Sequence, residues 1–408
     1  MKWSIFWIVG AANFIAAFAV NSVNLALPVL AKEFGITQDA ASWLPLAYSL
    51  IPCCTLLMCG RIGDIFGFKK QFLIGFVIFG FASIGMSYSN SFVTLMIFRC
   101  IQGIGYAVLG SISQAIIKRT FPKNECGKAI GINSVFVSVG LAAGPTVGGV
   151  LLDAFSWHAI FTVCIPFAVI GFIATIVILP KDIKKEHYAK IDWAGSLLFA
   201  LFTACFILGL SFSNKWGWRS GKFILCMISS AVFLATFIFA ELKNEAPMLP
   251  LKLFKNRQFT LSNTISVCSY FTQQVTLVLL PFFLINSLSL KPHKAGLIML
   301  ASPLLMMMTS APGGAMSDKV GAKKAATFGL LLICLSDIAI CITNTEFGLL
   351  ASIAALVLTG CGNGFSVAAI NSTILCSVPQ ENAGTASGIC DVYSLARLQV
   401  YNAGCGAL

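Results

Sequence analysis

Charged side chains are scarce in this sequence. Only 10% of its 408 residues are Asp, Glu, Lys or Arg, whereas 58% are hydrophobic and the mean hydropathy is +0.88. So few polar side chains cannot cover a soluble globule of this length, so the chain must lie in lipid. The sequence also lacks a Gly-x-x-x-x-Gly-Lys-Ser/Thr loop for nucleotide phosphates and a paired nucleophile and base. We therefore expect neither an ATP-driven pump nor an enzyme.

Histidine is almost absent, and cysteine is frequent but scattered. The three histidines, His158, His187 and His293, lie far apart, and no Cys/His cluster has the spacing of a metal site. Most of the 15 cysteines, such as Cys53 and Cys164, fall inside apolar stretches, where they pack as small hydrophobic side chains. We therefore expect no metal and no cofactor.

Long apolar runs fill the chain from one end to the other. A helix needs about 20 residues to cross a hydrocarbon core about 30 Å thick, and runs of this length without period-two alternation indicate helices rather than a barrel. The predicted spans are 5–30, 41–60, 71–89, 92–117, 128–152, 157–179, 193–212, 221–241, 259–286, 294–316, 325–344 and 347–376. A thirteenth span from 384 is uncertain, because Arg397 and Asn402 interrupt its apolar run. The sequence thus predicts an all-α membrane protein.

The net charge of +12 reflects membrane topology rather than an anionic partner. When loops are assigned alternately from a cytoplasmic N terminus, the inner loops carry most of the Lys and Arg residues, as the positive-inside rule requires. This distribution predicts a multi-pass protein of the inner (plasma) membrane with a cytoplasmic N terminus, and no nucleic-acid partner. A signal peptide ending near Ala19 is the alternative, but the apolar run continues to Leu30 and further spans follow at once.

The sequence contains an internal duplication. The segment 60–70 has a counterpart in 314–324, and 122–132 has one in 379–389, in the same order and at nearly the same offset. We therefore expect a six-helix half at 1–180, a two-helix insertion at 181–258 and an incomplete second half at 259–408. The residues of interest in the first pair of segments are Gly60, Arg61, Asp64, Gly67, Lys69, Lys70, Asp318, Lys323 and Lys324.

Two further motifs lie inside spans. Arg99 begins a thin helix face, and a charge inside a span costs about 2.5 to 3.5 kcal/mol unless it is paired or hydrated. Snorkelling of Arg99 to the outer interface is the alternative. In the second motif, a proline amid glycines lets the helix bend and a neighbouring backbone approach closely. The two motifs comprise Arg99, Gln102, Gly103 and Gly105, and Gly140, Gly144, Pro145, Gly148 and Gly149.

The order and spacing of these motifs resemble the major facilitator superfamily. Three further segments, 191–195, 216–218 and 247–257, look like those of its fourteen-helix drug:proton antiporters. The resemblance implies two six-helix repeats plus two inserted linker helices, with segment 60–70 as a conformational latch. It also implies that the Arg99 motif serves proton coupling and that the glycine–proline stretch is the antiporter motif.

The function that this resemblance implies is secondary active transport. We expect proton-coupled export of hydrophobic drugs or related small molecules by alternating access, with a cavity between the two repeats. The expected partners are the lipid bilayer, protons and a hydrophobic small-molecule substrate, and the expected state is a monomer.

Polar residues inside the spans are candidates for the substrate cavity. They are Asn21, Asn24, Gln273 and Gln274. Each is alternatively a hydrogen-bonding contact between helices. Ala19 stands where many relatives of the antiporter family carry an aspartate, so we expect the first helix to present a polar but uncharged face, better suited to neutral or anionic substrates.

The second repeat copy is shorter than the first. The first copy continues from Pro122 to Pro180, and the sequence has fewer residues after Pro379. We therefore expect the last helix or two to be missing. The alternative function is a truncated, non-transporting remnant of such a transporter, or a membrane scaffold derived from one.

Overall fold

The chain folds into long helices, and the predicted all-α membrane fold is confirmed. The computed structural model describes residues 2–182, 191–244, 246–290, 292–341 and 348–405, and this part of the chain contains no strand. The long helices are α1 (Lys2–Glu33), α2 (Gln38–Phe66), α3 (Phe68–Ser87), α4 (Phe92–Thr120), α5 (Lys123–Ala154), α6 (Trp157–Ile178), α7 (Trp193–Ser211), α8 (Gly221–Lys243), α9 (Arg257–Phe282), α10 (Lys294–Val320), α11 (Ala322–Cys341), α12 (Gly348–Cys376) and α13 (Ala383–Cys405).

Short helical turns interrupt or join these segments. A 3-10 turn at Val23–Ala26 bends α1 just before Pro28, and a π-turn at Phe283–Ser287 continues α9. The remaining short elements are the helix Ser213–Trp216 and the 3-10 turns Leu251–Lys255 and Gln380–Asn382.

Eleven helical segments of the described residues are long and apolar enough to cross a membrane. They are α1 to α8 and α10 to α12. Every predicted span corresponds to a helix, including α9, which carries more polar side chains. The uncertain thirteenth span is helical as well, because α13 continues as far as Cys405.

The helix α2 extends beyond its predicted end at residue 60. It continues to Phe66, so Gly60, Arg61 and Asp64 lie on its last turns rather than in a loop. The physical reason is that a helix need not end where the hydrocarbon ends, since charged side chains reach water or another helix there. Gly67, at a φ of +100°, then separates α2 from α3.

The turn after α10 repeats this geometry. Gly321 has a φ of +102° and separates α10 from α11, as Gly67 separates α2 from α3. Backbones in this left-handed region favour glycine, because a side chain there is strained. The two copies of the duplicated segment therefore share a backbone conformation as well as a sequence.

Helices before residue 180 pack mainly on one another, as do α9 to α12, whereas α13 packs mainly on the first group. Within the first group, α1 packs on α5, α2 on α4, and α3 on α4 and α6; within the second, α12 packs on α10 and α11. The two groups meet along two extensive contacts, in which α13 packs against α2 and α4, and α5 packs against α10. The inserted helices α7 and α8 pack on each other, and α7 also contacts α2 and α13.

Candidate functional site

Glycines bring the backbones together along both contacts between the groups. A Cβ atom on Gly60 of α2 would collide with the carbonyl of Gly384 on α13, and the reverse also holds. At the other contact, Gly127 of α5 and Gly314 of α10 oppose each other in the same way. Small residues at such positions let helices pack in lipid, where close contact rather than hydrophobicity drives association.

Asp64 on α2 binds the N-terminal end of α13. Its carboxylate accepts hydrogen bonds from the backbone N–H groups of Gly384 at 2.8 Å and Thr385 at 2.9 Å, and from the Thr385 hydroxyl at 3.1 Å. The carboxylate is buried. A negative charge is favourable at a helix N terminus, where unpaired N–H groups point outward. One side chain thus joins two helices that are more than 300 positions apart in the sequence.

Asp318 on α10 makes the matching contact to α5. Its two carboxylate oxygens accept hydrogen bonds from the backbone N–H groups of Gly127 and Lys128, both at 2.8 Å. By the sequence repeat, Asp318 corresponds to Asp64 and Gly127 to Gly384. Each repeat copy therefore supplies the carboxylate of one contact and the amides of the other.

The basic residues of the duplicated segment have different surroundings in the two copies. The Lys69 ammonium donates to the carbonyls of Ile176 at 2.7 Å and Leu179 at 2.6 Å, and the backbone N–H groups of Lys69 and Lys70 donate to Asp182. These bonds tie α3 to the end of α6.

The other basic residues of this segment lie closer to the contacts between the groups or at the surface. Arg61 donates to the Asn382 side chain at 3.4 Å, across the α2–α13 contact. Lys323 and Lys324 are exposed.

Arg99 is fully buried, so it does not snorkel to the outer interface. Its guanidinium donates to Gln102 at 2.7 Å and to the carbonyls of Ala19 at 2.8 Å and Leu44 at 3.4 Å. The face of the Tyr48 ring lies 4.0 Å from the guanidinium carbon, a cation–π contact. Among the described residues, Arg99 forms no ion pair, so these uncharged neighbours stabilise its charge in place of a carboxylate.

The remaining residues of this motif pack α4 on its neighbours. Gln102 donates to the Ser83 hydroxyl of α3 at 3.1 Å. Gly103 faces Ile51 on α2, and Gly105 faces the backbone of Phe79 on α3, where a Cβ would have no room.

The glycine–proline stretch of α5 has two faces. Gly140, Gly144 and Gly148 lie against the backbone of α1, and Gly149 faces Leu25. Pro145 lies inside the helix and faces a central cavity. The glycines thus form a packing groove for α1, while the proline contributes to the cavity wall.

The central cavity lies between the two groups of helices. Its volume is about 490 Å³, within the range of roughly 300 to 1,000 Å³ typical of small-molecule sites. Helices α1, α4, α5, α9, α10, α12 and α13 all contribute to its lining. Most of its polar groups are amides and hydroxyls, among them Asn13, Asn21, Ser113, Asn133, Ser138, Gln273, Ser302 and Asn371.

The expected cavity residues divide three ways. Asn21 lines the cavity and donates to the Leu141 carbonyl at 3.1 Å, and Gln273 also lines it. Asn24 lies on the 3-10 turn of α1, where it is exposed and outside the lining. The Gln274 side chain lies outside the described residues.

The cavity contains a carboxylate, which comes from α13 rather than from the uncharged face of α1. Asp391 on α13 lines the cavity and accepts a hydrogen bond from Gln114 on α4 at 3.3 Å. The residues of α1 around Ala19 give no indication of this carboxylate. The sequence does contain a feature that identifies this carboxylate, because Asp391 is the sole acidic residue of α13.

The comparisons with known proteins agree with this architecture. The family model for the Major Facilitator Superfamily matches residues 9–394. The riboflavin transporter RibZ of Clostridioides difficile is 34% identical over 383 residues, covering 94% of this chain and 83% of that protein. The multidrug resistance protein Stp of Mycobacterium tuberculosis (strain CDC 1551 / Oshkosh) is 28% identical over 373 residues, covering 90% and 68%.

A solved structure shows the same fold. The human organic anion transporter MFSD10 (TETRAN) superposes with a TM-score of 0.70 at 16% identity, covering 100% of this chain and 92% of that one. A family model that matches nearly the whole chain, together with this shared fold, leaves one conclusion. The chain belongs to the Major Facilitator Superfamily of membrane transporters.

Proposed function

We propose that the protein is a proton-driven exporter of lipophilic small molecules that works by alternating access. The observation that carries this proposal is a cavity between two groups of helices, closed on one side by two reciprocal carboxylate–helix contacts. Rocking of one group on the other would open that side and close the opposite one. The similarity to Stp supports a lipophilic drug as the substrate.

The two contacts are the latches of this cycle. We assign them to the cytoplasmic face, because the Lys- and Arg-rich loops lie at the same helix ends. With both contacts formed, the conformation described here is the one closed to the cytoplasm. The halves that move are 1–180 and 259–408, and the inserted helices α7 and α8 lie beside the α2–α13 contact.

Riboflavin is a second candidate substrate. The cavity lining is rich in amide and hydroxyl groups, which suit a heterocycle with many donors and acceptors. The similarity to RibZ supports the same choice. The fourteen-helix antiporter type stays a prediction, and the described helices offer no support for a non-transporting remnant, because cavity and latches are both present.

The test uses purified protein in liposomes with an imposed pH gradient. Ethidium represents the lipophilic drugs, and riboflavin represents the second candidate. We expect the gradient to drive accumulation of at least one probe, and a protonophore to abolish it. Empty liposomes serve as the control. If neither probe, nor any member of a wider panel of lipophilic compounds, moves against its gradient, the exporter proposal is wrong.

A further inference from the structure

Asp391 lies deep between the helices yet touches the central cavity. It is half-buried, and the part that remains exposed faces the cavity, whose wall it forms. A water molecule in the cavity could therefore exchange a proton with the carboxyl group. Ionisable side chains within membrane-spanning helices are costly and occur mainly where function needs them.

The surroundings of Asp391 offer a carboxylate little compensation. The described cavity lining contains no Lys, Arg or His, and its other titratable groups are Tyr106 on α4, Tyr270 on α9 and Cys390 on α13. Cys53 and Cys59 of α2 belong to the same hydrophobic cluster as Leu395 of α13. Charged groups near the N-terminal end of α13 include Arg61, Asp64 and Lys118. Arg397 lies on α13 itself, and its side chain is outside the described residues.

Arg99 does not compensate the charge either. Its guanidinium is bonded to Ala19, Leu44 and Gln102, and it does not belong to the cavity lining. Among the side chains that the structure describes, none offsets the desolvation cost of a charged Asp391 with an opposite charge, and a bound proton removes that cost.

Gln114 can serve both protonation states of Asp391. Its Nε2 donates to the carboxylate at 3.3 Å, as an ionised acid requires. Its Oε1 is buried and has no hydrogen-bond partner among the described residues. If the amide rotates by half a turn, this oxygen can accept the proton of a carboxylic acid. The bond between α4 and α13 is thus compatible with a titrating Asp391.

Asp391 also shares a helix with a latch. The N–H groups of Gly384 and Thr385, which Asp64 binds, lie about two turns before Asp391 on α13. A helix transmits a shift of one end to the other because its backbone bonds are intact along its length. Loading of the cavity at Asp391 can therefore act directly on the α2–α13 contact.

We propose that Asp391 is the proton-carrying group of the cavity, and this inference rests on the proposed proton-driven export. On arrival of the substrate, the O–H bond of the Asp391 carboxylic acid breaks, its electron pair stays on the carboxylate oxygen, and the proton passes to cavity water. After the substrate leaves, the carboxylate takes up a proton from the opposite side. Arg99, which the sequence resemblance implies for coupling, then has a structural role in holding α1, α2 and α4 together.

The first experiment compares the wild-type protein with Asp391→Asn in liposomes. With ethidium and riboflavin as probes, we expect Asp391→Asn to retain exchange of labelled for unlabelled probe without a gradient. Accumulation driven by a pH gradient should be lost. Asp153→Asn, which changes an exposed acid on α5, is the matched control and should behave as the wild type. Gradient-driven accumulation by Asp391→Asn would overturn the inference.

The second experiment needs no substrate. Infrared difference spectra of the purified protein between acidic and alkaline buffer should contain a carbonyl stretching band from a protonated carboxyl group. We expect the band to disappear in Asp391→Asn and to shift in Asp391→Glu, while Asp153→Asn leaves it unchanged. A band that persists unaltered in both Asp391 variants contradicts the inference.

The two experiments separate the two proposals. If the wild type moves neither probe nor any compound of the wider panel, the exporter proposal fails, and the infrared band still decides whether Asp391 titrates. If the wild type transports but Asp391→Asn remains proton-coupled, export stands and Asp391 is not the carrier. If Asp391→Asn does not fold, the band shift in Asp391→Glu provides the answer.

Discussion

Removing the charge of Asp64 should open the α2–α13 contact without unfolding the protein. Asp64→Asn keeps the size of the side chain and one acceptor oxygen. The carboxylate now accepts three bonds, from Gly384 N–H, Thr385 N–H and the Thr385 hydroxyl, at 2.8, 2.9 and 3.1 Å. In the variant, the amide NH₂ group must face at least one of these donors.

The magnitude follows from the bond that is lost. A hydrogen bond to a charged group contributes about 1.5 to 3 kcal/mol, and the favourable charge at the α13 N terminus is lost as well. We therefore expect the closed conformation to lose about 2 kcal/mol relative to the open one. The open population should rise about thirtyfold, since 1.4 kcal/mol corresponds to a factor of ten.

Cys126 provides a native reporter of this opening. This residue directly precedes Gly127 at the α5–α10 contact, and its side chain is 2% exposed. It therefore lies away from the α2–α13 contact that Asp64→Asn alters. Labelling of Cys126 by N-ethylmaleimide, quantified on its peptide by mass spectrometry, should therefore accelerate in Asp64→Asn as the groups separate. Asp39→Asn, which alters an exposed acid, is the control. A Cys126 labelling rate within about twofold of the wild type would refute this reasoning.

Two further substitutions test the packing around these sites. Gly384→Ala adds a Cβ that collides with the Gly60 carbonyl, so it should accelerate Cys126 labelling as Asp64→Asn does. Gly296→Ala, where the added atom meets open space, is the control and should leave the labelling rate unchanged. Equal Cys126 labelling rates in the two variants would contradict the close packing of Gly384 on Gly60. Arg99→Lys removes the planar guanidinium group, which donates hydrogen bonds to several acceptors, so the free energy of unfolding should fall by about 2 kcal/mol. The measurement is the melting temperature in detergent. An unchanged melting temperature would show that these hydrogen bonds contribute little.

Sequence patterns predict the helices well, because the hydrocarbon thickness fixes their length and the bilayer excludes any other open structure. The predicted end of α2, at residue 60, is too early because the apolar run shows only the part of the helix that lies in the hydrocarbon. Arg61 and Asp64 end the apolar run, but a helix end can leave the hydrocarbon and meet another helix. Burial by a distant partner such as Gly384 is not visible in local hydropathy.

The duplication identifies corresponding residues but not which of them touch. Asp64 and Gly127 belong to one copy, and the repeat relates them to Asp318 and Gly384. The contacts cross over between copies, so Asp64 meets Gly384. The repeat does not predict the cavity carboxylate either. The residue of the first copy that corresponds approximately to Asp391 is Ser134, which is not acidic.

The crossed arrangement of the two carboxylate contacts has a consequence for leakage. Because each group of helices supplies one carboxylate and one set of amides, a movement that separates the groups along both contacts removes hydrogen-bond partners from both groups at once. The open conformation must then supply other partners, such as water, to both carboxylates and both sets of amides, and this cost favours the closed conformation. Closure of the cavity on one side protects an ion gradient, because a cavity open at both ends would let ions leak across the membrane.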